Sequence, residues 1–446
     1  MMVVPLLVAL AATPALATET APPGATDPTT PAAAPPPDAV TADAPAALPA
    51  PLGDPADPLA DAKAARRART KATLKSVGAQ FKPYGFLKPT VSVSSAAVES
   101  FGRPNQTAIT AAANPVLASV PDDPAFSFQV GQSRIGLRIA EAQQVRAQIE
   151  LDFVDFDKST PTVASLPRIR IAEVSWDPAK DHTITAGQGW DLFGSLMPHG
   201  FNLVGANFQA GNVGFMRQQV QWRYHPKHAD IGVAIGMPGA NTGPAENALE
   251  HSVLPTFAVR LGAVIDEHAT LRAHGFATLL RPDADHTMLV WAASIDGQIS
   301  LSSGTDLRFE ATIGQNTANT GMLTLAQGRA DVDVRDAGGW ISVRQPIGAH
   351  VTPYLTAGGA GVLHPDDVVP SYTSATDTAP AARNAAAGPG IRYNVGGRVG
   401  AEVAVAPGLA IVAEGFAFAT RHQLADAAID GRRTAGGFEG GMLYRF

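Results

Sequence analysis

Arginine recurs in this sequence at positions where it could bind a solute, on one side of a series of short alternating segments. A guanidinium group stays charged at any accessible pH and grips carboxylates through paired hydrogen bonds, so a wall of such groups attracts anions. These arginines are Arg134, Arg138, Arg146, Arg168, Arg170, Arg217 and Arg223, and the acidic residues nearest to them in sequence are Glu150, Asp152 and Glu173. Two interpretations stay open: an anion-attracting lining, or ion pairs between adjacent strands that only satisfy a polar interior.

Other chemistry has weaker support. The chain has no cysteine, which excludes thiol nucleophiles, cysteine zinc sites and iron–sulfur ligation. The run from Gly131 to Gly136 has one residue too many for a nucleophile elbow. His225 and His228 flank a proline turn, where solvated side chains are expected rather than metal ligands. We therefore predict no catalytic residue, no metal and no cofactor, and the net charge of −7 argues against nucleic-acid binding.

The segments that carry the arginines alternate between apolar and polar residues. In residues 145–153, five apolar positions alternate with four polar ones without an error. Similar segments recur between residues 84 and 446, about sixteen in all, and short and long connections alternate between them. No segment approaches the roughly 18 uninterrupted apolar residues of a membrane helix. The pattern predicts an all-β protein, a transmembrane antiparallel up-and-down β-barrel.

The last strand supports this prediction because its two faces differ. Phe438, Met442, Tyr444 and Phe446 share one face, and Glu439 lies on the other. An apolar outer face meets lipid, while a polar inner face meets water. We expect the barrel-assembly machinery to recognise this C-terminal strand.

Two segments depart from simple alternation, and a third is distinguished by its glycines. The phase changes near Ala172, which predicts a β-bulge. Glu414 and Phe416 share a parity, so the pattern does not assign faces there. The glycine-rich run that begins at Gly358 predicts a strand approached closely by another backbone.

The connection from Asp191 to Asn212 is a candidate constriction. It follows Trp190 and contains Phe193, His199 and further apolar residues, an odd content for a loop in water. In a wide barrel such a loop can fold inward and narrow the pore. The alternative is an outward loop that packs on a neighbouring subunit.

The N-terminal residues divide by composition. Residues 1–17 fit a secretory signal peptide, although no Lys or Arg precedes the apolar run. Residues 18–58 are a Pro/Ala-rich linker. Residues 59–80 are a short basic periplasmic segment that could be helical, either simply solvated or in contact with peptidoglycan or a partner. The barrel is predicted over residues 81–446.

Several motifs resemble those of one family, the DcaP-like trimeric outer-membrane porins. They lie at Gln132–Gly136, Arg168–Trp176, Ala186–Phe193 and Arg217–Val220, with Phe446 at the end. The resemblance implies a sixteen-stranded barrel, a homotrimer, and uptake of small negatively charged solutes through an arginine-bearing constriction. The sequence departs from the family in lacking an N-terminal coiled-coil extension and in carrying Glu173 where an aromatic residue is expected.

The sequence thus predicts a passive outer-membrane channel for small hydrophilic, anionic, carboxylate-bearing solutes, without enzymatic activity. Two alternatives stay open. One is a barrel enzyme of the lipase or protease type, although His251, His274 and His286 have no convincing partner in the sequence. The other is a structural barrel that tethers envelope layers through its N-terminal extension.

Overall fold

A computed structural model describes most of the chain from Gln80 onward. The described residues are 80–95, 124–140, 144–154, 167–202, 207–208, 210–214, 216–239, 254–265, 268–281, 285–323, 325–328, 332–365, 391–422 and 432–446. The predicted signal peptide, the linker and nearly all of the basic segment lie outside these residues and stay predictions.

The fold consists of strand segments with one described 3₁₀ turn, Thr317–Thr320. The segments are β1 Gln80–Leu87, β2 Thr90–Ser94, β3 Ala125–Gln129, β4 Arg134–Ala140, β5 Val145–Asp152, β6 Arg168–Ala179, β7 His182–Trp190, β8 Met216–Tyr224, β9 Ala229–Gly236, β10 Thr256–Val264, β11 Ala269–Leu280, β12 Met288–Ser300, β13 Asp306–Gln315, β14 Arg335–Arg344, β15 Val351–Leu363, β16 Ile391–Ala406, β17 Leu409–His422 and β18 Arg432–Arg445. No helix among the described residues is long and apolar enough to cross a membrane.

These segments form one closed antiparallel sheet. β1 and β2 are two halves of one strand, interrupted at Lys88 and Pro89, and β3 and β4 are two halves of the next. Proline has no N–H for the ladder, which explains the first interruption. With these halves joined, the barrel has 16 strands, and the predicted fold and strand number are confirmed. The last strand closes on the first, where Phe446 and Gly85 exchange backbone hydrogen bonds of 3.1 and 3.2 Å.

The two faces of the sheet carry different residues. Aliphatic and aromatic side chains are exposed on the outer face, for example Leu261 at 62% and Ile235 at 53%. In the last strand, Phe438, Met442 and Tyr444 follow this outer pattern, whereas Glu439 is fully buried on the inner face. An exposed apolar outer surface around a polar interior is the arrangement of a barrel in lipid.

Connections alternate in length around the barrel, as the sequence predicts. Short connections at one rim are 141–144, 180–181, 225–228, 265–268, 301–305, 345–350 and 407–408. Those at the other rim are all longer, and 281–287 is the shortest of them. The register shift on β6 lies at Arg170, two residues from the predicted bulge. Glu414, Phe416 and Phe418, whose faces the sequence left unassigned, are all buried on the inner face of β17.

Apolar packing also occurs inside the barrel, near the rim of long connections. Phe193 and Val213 of the 191–215 connection pack with Phe276 of β11 and with Met322 and Leu325 of the β13–β14 connection. All five side chains are at most 4% exposed. The sequence predicts the β13–β14 connection only as a long loop, and no local pattern indicates the buried segment around its 3₁₀ turn.

Candidate solute site in the barrel interior

The inner wall of β4, β5 and β6 carries a compact ion-pair network. Arg168 binds Asp152 through two hydrogen bonds of 2.9 and 2.8 Å. Arg170 reaches Glu150 at 2.9 Å and Asp152 at 3.3 Å. Arg134 lies 3.7 Å from Glu150. Three guanidinium groups therefore share two carboxylates, which leaves one positive charge in excess.

The bulge at Arg170 determines which residues of β6 face inward. Before the bulge, Arg168 and Arg170 point to the network, and after it the inner positions fall on Glu173 and Ser175. A bulge adds one residue to a strand and so shifts the side-chain alternation. As a result, Arg168 and Arg170, at even positions, face the same inner wall as Glu173, at an odd position.

Below this network, toward the rim of short turns, lies a polar cavity of about 290 Å³. Its lining combines basic, acidic and hydroxyl groups from β5 to β10 with the start of the 191–215 connection. The lining residues are Arg146, Glu173, Ser175, Thr183, Thr185, Trp190, Asp191, Ser195, Gln221, Arg223, His225 and Arg260. Of the predicted site residues, the structure brings Arg146, Arg223, Glu173, Trp190 and Asp191 together here.

Most charges around the cavity are paired. Arg146 pairs with Asp177, and Arg223 binds Asp230 at 2.8 Å. Arg260 lies 3.5 Å from the same Asp230 carboxylate. The exception is Glu173, which has no hydrogen bond or ion pair with any residue that the structure describes.

The 191–215 connection begins with a buried clamp. Arg217 donates to Asp191 at 2.6 Å and to the carbonyl oxygen of Met237 at 2.6 Å, and lies 3.5 Å from that of Thr320. Its exposed fraction is 3%. Arg217 therefore joins the β7–β8, β9–β10 and β13–β14 connections. Its guanidinium group donates hydrogen bonds to groups within the protein. Trp190 is held by its carbonyl oxygen, which accepts from the side chains of Gln219 and Gln221.

From this clamp the connection passes along the inner face of distant strands. Arg260 of β10 donates to the Leu192 carbonyl at 2.6 Å, and Arg308 of β13 donates to that of Met197 at 3.0 Å. Further along, the Phe201 amide donates to Glu414 of β17 at 2.7 Å, and Asn202 donates to Glu439 of β18 at 3.0 Å.

His199 lies midway along this path. Its amide donates to Ser342 of β14 at 2.9 Å, and its carbonyl accepts from Thr356 of β15 at 2.7 Å. Its Nε2 atom is 3.4 Å from Asp306. Burial, followed by the neighbouring Arg308 guanidinium, lowers the pKa of His199 to about 4, so the imidazole is neutral at pH 7.

A second buried charge cluster holds the Phe201–Asn202 end of the described loop. Arg398 donates to Glu414 at 2.6 Å, and Tyr354 donates to the same carboxylate at 2.9 Å. Lys88, at the break between β1 and β2, lies 3.5 Å from Glu439 and over the Phe201 ring at 3.9 Å. These buried charges are paired, as burial requires.

The other predicted site residues lie apart from the cavity. Phe193 is 1% exposed in the apolar cluster, with its ring 5.8 Å from that of Phe276. Arg138 lies over the Tyr84 ring at 4.3 Å. The predicted close approach at Gly358 is observed, because a Cβ atom there would lie 2.5 Å from the Ala210 carbonyl oxygen of the interior loop.

Sequence reasoning missed several residues of the interior. Arg260, which lines the cavity and holds Leu192, stands alone in an apolar strand. Lys88 lies at a strand break, and Arg398 lies in a glycine-rich strand. The available signal was the alternation of side chains, because each of these charged residues alternates with neighbours that face lipid. Its partner, however, is revealed only by the pairing across strands.

No protein-family model matches this sequence, and no curated protein matches it. Solved structures do match. The outer membrane channel DcaP of Acinetobacter baumannii is 14% identical, with 83% of this chain and 98% of that chain covered and a TM-score of 0.62. OmpTdeltaL8, a loop deletion mutant of an outer membrane protein of Vibrio cholerae, is 10% identical over 83% of this chain and 100% of its own, with a TM-score of 0.52.

An anion-selective porin from Comamonas acidovorans is also similar, at 10% identity over 82% of this chain and 100% of that chain, with a TM-score of 0.51. At such identities the similarity establishes the fold. The chain has the barrel architecture of outer-membrane porins, and the resemblance seen in its sequence motifs agrees with the match to DcaP.

Proposed function

We propose that this protein is a channel of the bacterial outer membrane through which small hydrophilic solutes, preferentially anions, diffuse passively. The observation that carries the proposal is the polar cavity inside a closed barrel whose outer face is apolar. Selectivity would come from cavity width and from the surrounding arginines, which raise the local anion concentration. The anion-selective porin of similar fold is consistent with this proposal.

The balance of charged groups in two ion-pair clusters supports a preference for anions. Arg134, Arg168 and Arg170 share two carboxylates, and Arg223 and Arg260 share Asp230. Each group leaves one positive charge in excess, and these two charges exceed the one carboxylate, Glu173, that has no ion pair among the described residues of the cavity wall. Most of these arginines are paired, which is also what the structural alternative expects, yet pairing does not neutralise either group.

We further propose that the connection from Trp190 through His199 narrows the lumen. Its hydrogen bonds to β10, β13, β14, β15, β17 and β18 support this, since those strands lie around a large part of the barrel. A homotrimer in the outer membrane remains the expected assembly, as the sequence resemblance implies.

The test is the reversal potential of the purified protein in a planar bilayer across a salt gradient. Anion preference is the expected result, and the Arg223→Gln variant should reduce it. A wild-type channel with cation preference would contradict the arginine assignment, and the absence of any conductance would contradict the channel itself.

An enzyme is a second candidate because of one observation. His274 Nε2 is 2.7 Å from Asp296, and Ser294 stands opposite His274 in the β11–β12 register. A substrate would have poor access to His274, which weakens this candidate. The imidazole side chain is fully buried, and Phe193 covers it at a ring distance of 6.0 Å. Labelling of Ser294 by a fluorophosphonate would favour the enzyme, and labelling equal to that of Ser294→Ala would exclude this serine as nucleophile.

A further inference from the structure

We propose that the polar cavity binds zwitterionic solutes that carry one ammonium and one carboxylate group, with Glu173 as the ammonium partner. The inference rests on the proposed function as a solute channel and names the class of solute that its cavity recognises. It differs from simple anion attraction because it assigns a role to a negative charge at the site.

Ion pairs account for most of the charges on the cavity wall. Arg146, Arg223 and Asp191 each have an internal partner of opposite charge. Glu173 is half-buried and is attracted by the charge of Arg146, but it forms no direct ion pair or hydrogen bond with the described residues. An ionised carboxylate removed from bulk water is costly unless a cation or hydrogen-bond donors meet it. A bound ammonium group would supply both.

The strand architecture makes room for the Glu173 carboxylate. The bulge at Arg170 turns Glu173 to the inner face. Its carboxylate lies over Gly189 of β7, where any larger residue would place its Cβ atom against Glu173 Oε2. The glycine thus leaves space for the carboxylate beside the cavity.

A cationic group that could bind the carboxylate of the solute lies near Glu173. Arg146 stands opposite Ser175, two residues from Glu173, so Arg146 and Glu173 are diagonal neighbours on adjacent strands. Such positions are about 7–8 Å apart, and no direct ion pair joins the two side chains. A short zwitterion placed between them would meet a guanidinium at one end and a carboxylate at the other.

Arg146 retains capacity for such a ligand. It donates to Asp177 through Nη1 and to Thr183 through Nη2, and its side chain is 49% exposed. A guanidinium has five N–H donors, so pairing with Asp177 leaves donors for a solute carboxylate. Ser175, Thr185 and Gln221 line the cavity between the charged groups and add neutral hydrogen-bonding partners.

The experiment measures current block in a planar bilayer. The probes are 4-aminobutyrate, which carries both charges, and 4-acetamidobutyrate, which keeps the carboxylate but lacks the ammonium. We expect 4-aminobutyrate to bind roughly ten-fold more tightly or better, the effect of one charge-assisted hydrogen bond. Glu173→Gln should abolish this difference and increase anion selectivity. Glu402→Gln, which removes an exposed carboxylate paired with Arg445, is the matched control and should preserve the difference.

Equal block by the two probes in the wild-type channel would overturn the inference, and this comparison needs no variant. A difference that survives in Glu173→Gln would also overturn it. If the wild type conducts with anion preference but does not distinguish the probes, only the zwitterion assignment fails. If the wild type does not conduct, the proposed function fails, and the inference fails with it.

Discussion

Arg217 and Asp191 form a buried ion pair, with Nε 2.6 Å from Oδ2, that fastens the interior loop to β8 at the point where the loop leaves the wall. Both side chains are at most 3% exposed. The pair lies between the polar cavity, which Asp191 lines, and the apolar cluster around Phe193. It therefore couples the position of the loop to the shape of the cavity.

Loss of this pair should loosen the loop. In Arg217→Met, Asp191 is left as a buried charge without its partner, a change that costs about 3–5 kcal/mol. We expect a lower free energy of unfolding in urea and larger, noisier single-channel currents. Arg445→Gln is the control: it breaks an exposed pair with Glu402, which contributes about 1 kcal/mol or less. Equal effects of the two variants would contradict the clamp.

Glu414 should hold the far part of the described loop. Its carboxylate accepts from the Phe201 amide, Tyr354 and Arg398, at 2.7, 2.9 and 2.6 Å. In Glu414→Gln the buried Arg398 loses its counter-charge, so faster proteolysis within the 191–215 connection is expected. Glu402→Gln should leave the cleavage rate unchanged. An unaltered rate in Glu414→Gln would show that this anchor does not restrain the loop.

Acid should weaken the attachment of the loop through His199. The folded-state pKa of about 4 lies below the usual value near 6.5. The unfolded chain therefore binds the proton first, and stability present above pH 6.5 is lost as the pH falls toward 4. Protonated His199 would lie beside Arg308 and Arg344, with Asp306 as the opposing carboxylate.

The measurement is an NMR titration of labelled histidine, together with the pH dependence of unfolding. We expect one imidazole to titrate near pH 4 in wild type and to disappear in His199→Gln. His199→Gln should also flatten the dependence of stability on pH between 6.5 and 4. A His199 resonance that titrates near pH 6.5 would refute the prediction.

The absence of cysteine permits a direct probe of the cavity potential. Thr185→Cys would place a thiol in the cavity wall, and Ser303→Cys would place one on an exposed short turn. Since three arginines but only two carboxylates line the cavity, a negatively charged methanethiosulfonate reagent should react faster than a positively charged one at position 185. At position 303 the ratio of the two reaction rates should be near the ratio measured for a free thiol in solution. The opposite preference at position 185 would contradict a positive cavity.

Charge on the outer face should prevent stable insertion. Leu261 is 62% exposed on that face, where an arginine in hydrocarbon costs about 2–4 kcal/mol. Leu261→Arg should therefore lower the folded yield in lipid vesicles. Ser303→Arg, on an exposed short turn, should fold at the wild-type level. Equal yields would argue against lipid at this face.

The barrel could be predicted from local sequence because its determinants are local. Alternation at residues 145–153 assigns each side chain to lipid or lumen, and connection lengths assign the two rims. The bulge near Ala172 was visible as a phase change, although its exact residue, Arg170, was not. Faces around Glu414 could not be assigned because Phe416 and Phe418, unlike most barrel aromatics, point inward.

The pairing inside the lumen was decided only by tertiary structure. The sequence determined that Arg217 and Glu173 belong to an inner face, since alternation is a property of a single strand. It did not determine that Arg217 holds loops together, or that Glu173 stays unpaired among the described residues beside a cavity. Those outcomes depend on a loop that reaches from Asp191 to Glu439 across the barrel, and on a buried 3₁₀ segment near Thr320. Such contacts join residues far apart in the chain, so no local pattern encodes them.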